Sequence, residues 1–315
     1  MQSNPGFFKT WMVAARLFAL PASTMPIIFG TVLAVTIGEA HFNLLHFLGA
    51  LLGMIFLHTG ANLLNDVFDF KKGIDVTVNP VSGALVRGWV SARQLTIVSF
   101  VLFALGAVIG LWLVKQVGMP VLWIGVVGVS VGVLYSLGPV GLKYHALGDP
   151  AVFLNFGILG SLGAWTVQTG SVALLPAVWA IPMSLLVIGI LHANNWRDIE
   201  GDKRGGIRTV AGIIGDNASS SYYAFLLFGP YAAILTIIAA SHLGGIGPRM
   251  PLTFLITFLS LPLARKLLKK GLERHSTDNS DDFLGLDGAT AQLNLTFGLL
   301  CTGALGLHTL LVSLA

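Results

Sequence analysis

Asn62-Leu63-Leu64-Asn65-Asp66-Val67-Phe68-Asp69-Phe70-Lys71-Lys72-Gly73-Ile74-Asp75 closes an apolar run that begins near residue 44. At 3.6 residues per turn, Asn62, Asn65, Asp66 and Asp69 fall at i, i+3, i+4 and i+7. They share one stripe of a helix whose other sides are hydrophobic. Such carboxylates either stand in water at a helix end or face a polar cavity. They do not face lipid, because a charge near the bilayer centre costs about 2.5–3.5 kcal/mol on insertion scales.

Composition places that helix in a membrane. Of 315 residues, 55% are hydrophobic and 10% charged, and the mean hydropathy is +0.81. A soluble domain carries about 25% charged residues, so this chain cannot cover itself in water. Runs long enough for a crossing helix of about 20 residues fall near 11–37, 44–64, 95–114, 119–137, 150–168, 173–193, 222–241, 251–268 and 291–314. The expected fold is all-α: nine transmembrane helices around a central cavity, as one domain over residues 1–315. The first run opens with Lys9 and has no small-residue cleavage site, so it reads as a retained span. Gly125, Gly128 and Gly132 are spaced as a small face on which a neighbouring helix can pack closely. Cys301 is the single cysteine, which excludes an internal disulfide framework or a cysteine-rich metal site.

Charge placement orients the chain. With a cytoplasmic N-terminus, 16 of the 18 Lys and Arg residues lie on the cytoplasmic side, leaving Lys115 and Arg249 outside. That asymmetry predicts a multi-pass protein of the cell (inner) membrane, N-terminus in and C-terminus out. All acidic residues except Glu39 fall on the same side. The positive-inside rule does not require this, so chemistry is the first candidate cause. A net charge of +4 is too small to suggest nucleic acid, and nothing in the pattern calls for an obligate protein partner.

A second acidic group ends the sixth run: Asn194-Asn195-Trp196-Arg197-Asp198-Ile199-Glu200-Gly201-Asp202. Asn194 or Asn195, Asp198 and Asp202 share a face at four-residue steps, and Asn-x-x-x-Asp recurs at 65–69 and 194–198. Asp and Asn oxygens are hard ligands suited to Mg²⁺, which often binds through one or two carboxylates together with substrate phosphates. Two such clusters facing each other would hold a diphosphate through bridging Mg²⁺. Lys71, Lys72, Arg197, Lys203, Arg204 and Arg208 stand near enough in sequence to neutralise the remaining charge. A transporter also carries intramembrane Asp, Asn and Lys, but near the midplane, whereas these charges crowd one end of the spans.

At these residues the sequence resembles the UbiA superfamily of membrane prenyltransferases, and within it the MenA-like branch that acts on 1,4-dihydroxy-2-naphthoate. Asn65-Asp66-x-x-Asp69 with Lys72-Gly73-Ile74-Asp75 is similar to the branch's first Asp-rich motif. Asn194-Asn195-x-Arg197-Asp198-x-x-x-Asp202 with Gly206-Ile207-Arg208-Thr209-Val210 is similar to the second. Leu20-Pro21-Ala22-Ser23, Tyr135-Ser136-Leu137-Gly138-Pro139 with Lys143-Tyr144, Leu147-Gly148-Asp149 and Val167-Gln168-Thr169-Gly170 extend the likeness. Ubiquinone-type and haem-type members carry an Arg-Pro segment after the first motif. Here Asn79-Pro80-Val81-Ser82-Gly83-Ala84-Leu85-Val86-Arg87-Gly88 stands in its place, which argues against those acceptors.

The resemblance implies Mg²⁺-dependent transfer of a polyprenyl group from polyprenyl diphosphate to a hydroxylated aromatic acid, in menaquinone or phylloquinone biosynthesis. Another acceptor within the family is the alternative. Asp66, Asp69, Asp198 and Asp202 would hold the metal, with Asn65 and Asn194 as oxygen ligands or orienters. Lys71, Lys72, Arg197 and Arg204 are the expected diphosphate contacts, Asn62, Asp75, Asn195 and Arg16 further expected substrate-binding residues, and Tyr135 and Lys143, near Tyr144 and Asp149, the expected acceptor contacts. His58 and His192 precede the motifs in apolar stretches, where a histidine is more often a packing residue.

Overall fold

A computed structural model describes residues 6–71, 73, 83–136, 141–274 and 283–315. Apart from an isolated bridge between His145 and Arg208, the regular structure of these residues is helical. The helices are α1 (Phe7–Ala14), α2 (Pro21–Thr36), α3 (Leu44–Lys71), α4 (Ala92–Val117) and α5 (Met119–Ser136), then α6 (Gly148–Thr169). They continue as α7 (Leu174–Arg197), α8 (Ile199–Arg204), α9 (Val210–His242), α10 (Leu261–Leu272) and α11 (Leu286–Leu314).

Among the described residues, eight of the nine expected runs form segments that are each long and apolar enough to cross a membrane. The ninth, 251–268, is helical as well but in two pieces. It forms a 3₁₀ segment, Leu252–Ser260, and then restarts as α10 with proline in its first turn. Pro262 lacks the N–H that would continue a helix from the preceding turn, so the run becomes two short pieces. The first run also divides. Arg16 adopts a left-handed conformation (φ 49°) and Pro21 opens α2, which turns the Arg16 side chain toward α3.

Other boundaries have local causes. α4 starts at a capping box in which Ser91 Oγ accepts from Gln94 N at 3.2 Å while Gln94 Oε1 accepts from Ser91 N at 2.8 Å. α9 begins a dozen residues before its apolar run, capped by Thr209 Oγ1 accepting from Gly212 N at 3.1 Å, and kinks at Gly215. α3 continues unbroken to Lys71, so the Asn62-to-Asp69 stripe lies on one rigid face.

The packed core occupies one half of the molecule. Phe29, Trp179, Met183, Leu186, Tyr223, Leu227, Phe254, Leu293 and Phe297 join α2, α7, α9, α11 and the 3₁₀ segment. α4 and α5 bury few residues and expose Phe100, Leu111, Trp123 and Val133, as helices facing lipid do. Gly125, Gly128 and Gly132 do not bring a helix close, contrary to expectation: a Cβ on Gly125 would meet nothing within 4 Å, and those on the other two would meet only the Asn155 side chain. They open space instead.

Close packing occurs where α6 crosses α7. There Phe153–Leu159 is wound as a π-helix, and a Cβ on Gly157 would fall 1.9 Å from Ser184 Oγ. Gly157→Ala therefore costs about 1–3 kcal/mol, read as a lowered thermal midpoint of the detergent-solubilised protein. Gly303→Ala, where an added Cβ meets nothing within 4 Å, leaves the midpoint unchanged or slightly higher.

Candidate functional site

The half that is not packed holds a cavity of about 1210 Å³. Its apolar walls include Met54, Leu57, Phe103, Ile109, Leu113, Val129 and Leu159, together with the three α5 glycines. Its polar end collects Arg16, Asn62, Asn65, Asp69, Tyr135, Lys143, Asp149, Asn194, Asn195, Arg197, Asp198, Asp202, Arg204 and Asp287. The two acidic motifs thus open on one chamber. Ion pairs between helix ends hold that arrangement: Arg16 with Asp66, Lys143 with Asp69, and Arg197 with Asp287.

The first motif is organised around two bases. Arg16 Nη2 donates to Asp66 Oδ1 at 2.5 Å, and Asp66 is 4% exposed and not part of the cavity wall. Asp66 therefore sits behind Arg16 and fixes the guanidinium that faces the chamber, which is not the metal-facing position expected of it. Lys143 Nζ donates to Asp69 Oδ1 at 2.6 Å and also to Asn65 Oδ1. Asn65 Nδ2 donates to Asp69 Oδ2 at 3.0 Å, and Ser136 Oγ donates to Asn65 Oδ1 at 2.9 Å. Lys143 comes from the loop after α5, so the first motif is completed by residues about 75 positions away. Beside it, burial and the adjacent Asp69 carboxylate push the Tyr144 phenol above its ordinary pKa.

The second motif centres on Arg197. Its guanidinium donates to both oxygens of Asp198 at 3.0 and 2.9 Å, to Asn194 Oδ1 at 2.5 Å, and to Asp287 Oδ2 at 3.1 Å. Asp198 keeps 42% of its side chain exposed, while Asp202 is buried at the cavity edge. Among the described residues no group of three or more His, Cys, Asp or Glu side chains is close enough to hold a metal alone. The oxygen donors are instead spread over both sides of the chamber, Asn65 and Asp69 on one and Asn194, Asp198 and Asp202 on the other.

Asn62, Asn194, Asn195, Arg204 and Tyr135 line the chamber as expected. Lys71 is exposed at the end of α3 and is not part of the cavity wall. Lys72 and Asp75 lie outside the described residues. Two acidic or amide lining residues went unread from sequence, Asp287 and Asn155. Asp287 had a signal, an acid in the first turn of the last apolar run. Asn155 had a weaker one, an amide within an apolar span. The two histidines separate clearly. His192 is fully buried away from the cavity wall, with Nε2 at 3.2 Å from the Ser219 carbonyl, whereas His58 lines the chamber.

The family model "UbiA prenyltransferase family" matches residues 23–278. The chain belongs to the UbiA prenyltransferase family. UbiA prenyltransferase domain-containing protein 1 of Rattus norvegicus is 35% identical over 296 residues, covering 92% of this chain and 81% of that one. That name specifies no aromatic acceptor. Two solved structures share the fold. The apo structure of a UbiA homolog from Aeropyrum pernix K1 has a TM-score of 0.62 at 16% identity, over 93% of this chain and 97% of the other. A UbiA homolog from Archaeoglobus fulgidus bound to DMAPP and Mg²⁺ has a TM-score of 0.61 at 16% identity, over 93% and 99%. As a UbiA-family member the chain is a multi-pass membrane prenyltransferase.

The Arg197–Asp287 pair joins α7 to α11 with both side chains more than nine-tenths buried. Asp287→Ala removes the charged acceptor of Arg197 Nη1, leaving it the Leu284 carbonyl at 3.2 Å, and lowers stability by about 2 kcal/mol. Thermal unfolding in detergent checks this, and an unchanged midpoint would contradict it.

Proposed function

We propose that this protein transfers the prenyl group of a polyprenyl diphosphate to a hydroxylated aromatic acid. On this reading the diphosphate and Mg²⁺ lie between the two acidic motifs, and the prenyl tail lies in the apolar part of the chamber. The observation that carries it is the joining of both motifs to one cavity whose remaining walls are apolar. The Archaeoglobus homolog bound to DMAPP and Mg²⁺ supports the donor class.

The residues fit Mg²⁺ by their chemistry. Asp69, Asp198 and Asp202, with the amide oxygens of Asn65 and Asn194, supply hard oxygen donors. That no three carboxylates converge suits an ion that usually takes one or two carboxylates and completes its shell with substrate phosphates and water. Bound there, Mg²⁺ would neutralise charge building on the leaving diphosphate. The chain's own residues do the rest. Lys143, Arg197 and the Asp66-anchored Arg16 turn cationic groups toward the leaving oxygens, where fixed positive charge lowers the barrier to ionisation. Each is held by a carboxylate or amide partner, so little reorganisation is needed when phosphate competes for it. The apolar walls take a prenyl tail at about 0.8 kcal/mol per buried CH₂ and keep water from the allylic cation.

The acceptor we favour is 1,4-dihydroxy-2-naphthoate, on the likeness of both motifs to the MenA-like branch, which places the reaction in menaquinone or phylloquinone synthesis. The polar end is assigned to the cytoplasmic face of the cell membrane, because 16 of 18 bases fall on that side of the predicted topology. A water-soluble acid and Mg²⁺ would reach the motifs directly there.

Purified protein given Mg²⁺, dihydroxynaphthoate and polyprenyl diphosphates of several lengths is expected to yield a prenylated ring product by mass spectrometry. Absence of product and of diphosphate release with every aromatic acceptor overturns the reading. Asp69→Ala, Asp198→Ala and Asp66→Ala each lower turnover about 100-fold or more while the protein remains folded in the membrane. Near-normal rates in all three would remove the proposed metal and diphosphate site.

A further inference from the structure

His58 stands on α3 one turn before Asn62, on the same stripe as the acidic motif but about 6 Å further from the polar end at 1.5 Å per residue. Its surroundings are apolar. Met54, Leu57 and Phe156 line the same stretch of wall, and the Phe156 ring lies 4.6 Å from the imidazole, centroid to centroid. Ser23 Oγ on α2 holds Nδ1 at 2.7 Å. Ser23 is itself fully buried, with its hydroxyl 3.1 Å from the Leu20 carbonyl. Nε2 has no hydrogen-bond partner among the described residues, yet it is not one of the sealed polar atoms, and His58 lines the cavity. The ring is thus anchored at one nitrogen and offers the other to whatever fills the chamber.

A prenyl tail carries no hydrogen-bonding group. Laid against His58, it would bury Nε2 unpaired, which is costly. A hydroxylated ring supplies what that nitrogen lacks and a flat face for Phe156. A hydroxyl both donates and accepts, so it pairs with either neutral tautomer of the imidazole. The spacing also suits an acceptor, since a ring held at His58 lies within about two helical turns of Asn65 and Asp66, beside the end where the diphosphate leaves. Near-attack placement of this kind is worth large factors in rate.

We propose that His58, oriented by Ser23, binds a ring hydroxyl of the aromatic acceptor through Nε2 and so sets which ring carbon faces the reacting end of the prenyl group. This rests on the prenyl-transfer reading above and adds to it the group that selects the acceptor. His58 then acts as a specificity-determining residue, while Ser23 is a positioning residue that acts through it.

The test measures equilibrium binding of 1,4-dihydroxy-2-naphthoate and of the two monohydroxy-2-naphthoates lacking one or other hydroxyl. It uses the purified full chain with no prenyl donor, so turnover is not required. Wild-type protein is expected to bind one of the two monohydroxy analogues about tenfold or more weakly than the dihydroxy compound. His58→Phe loses that preference, and His58→Gln, which keeps a hydrogen-bonding side chain, recovers part of it. Ser23→Ala weakens the preference by less than His58→Phe. In a separate binding measurement the Kd for geranyl diphosphate with Mg²⁺ stays within about twofold of wild type in all three variants, a readout that a general packing defect would move. If His58→Phe does not fold, His58→Gln decides the matter by its intermediate preference. Wild-type preference retained in every foldable His58 variant overturns the assignment while leaving prenyl transfer intact. Binding without any hydroxyl preference in the wild type overturns it as well. Wild-type binding with the expected preference but no product with any donor upholds His58 and overturns the transferase reading.

Discussion

Carboxylates inside an apolar helical bundle must be paired, and the architecture follows from how this protein pairs them. Asp66 takes Arg16, Asp69 takes Lys143, and Arg197 spans Asp198 and Asp287. Each base comes from outside its partner's helix or reaches beyond it, so every pair is also a tie between elements. Removing one member of such a pair leaves an uncompensated charge where solvation is poor, which is why buried pairs resist disruption far more than surface ones. The break at Arg16 and the loop that carries Lys143 are explained by this need. Both deliver a cation to an acid that the apolar run of α3 could not neutralise.

The same ties divide the molecule into a packed half and an open one. Aromatic and aliphatic side chains from α2, α7, α9 and α11 interlock in the first. In the second, the α5 glycines and the thinly buried α4 leave a chamber that ends at the paired charges. Binding and chemistry can then occupy different zones of one space: apolar walls for a tail, hydrogen-bonding groups at His58 and Asn155, and charged groups at the motifs. A membrane-spanning frame suits this division, because lipid covers the outer faces of α4 and α5 and the fold need not fill its centre to be stable.

Much of this was legible in the linear chain. Apolar runs of about 20 residues located the spans, because backbone groups in lipid must be satisfied within a helix. The i, i+3, i+4, i+7 spacing placed Asn62, Asn65 and Asp69 on one face, and the repeated Asn-x-x-x-Asp marked the second cluster. Less legible was what interrupts a span. The 251–268 run has the hydropathy of a helix but restarts at Pro262, and the left-handed turn at Arg16 leaves no mark in composition. Asp66 and Asp69 look equivalent in sequence, yet one is turned inward on Arg16 and the other toward the chamber. A helical stripe is wide enough to hold both directions.

By itself, then, the sequence determined the class of molecule, the positions of its spans and the two acidic clusters, since all three depend on local periodicity and on the cost of charge in lipid. The tertiary structure alone decided which base meets which acid, that both clusters open on one chamber, and that His58 lines it while His192 is sealed against Ser219. Those outcomes depend on how helices far apart in sequence are brought side by side. Local spacing cannot encode that, because the partners of Asp69 and Arg197 lie 74 and 90 residues away.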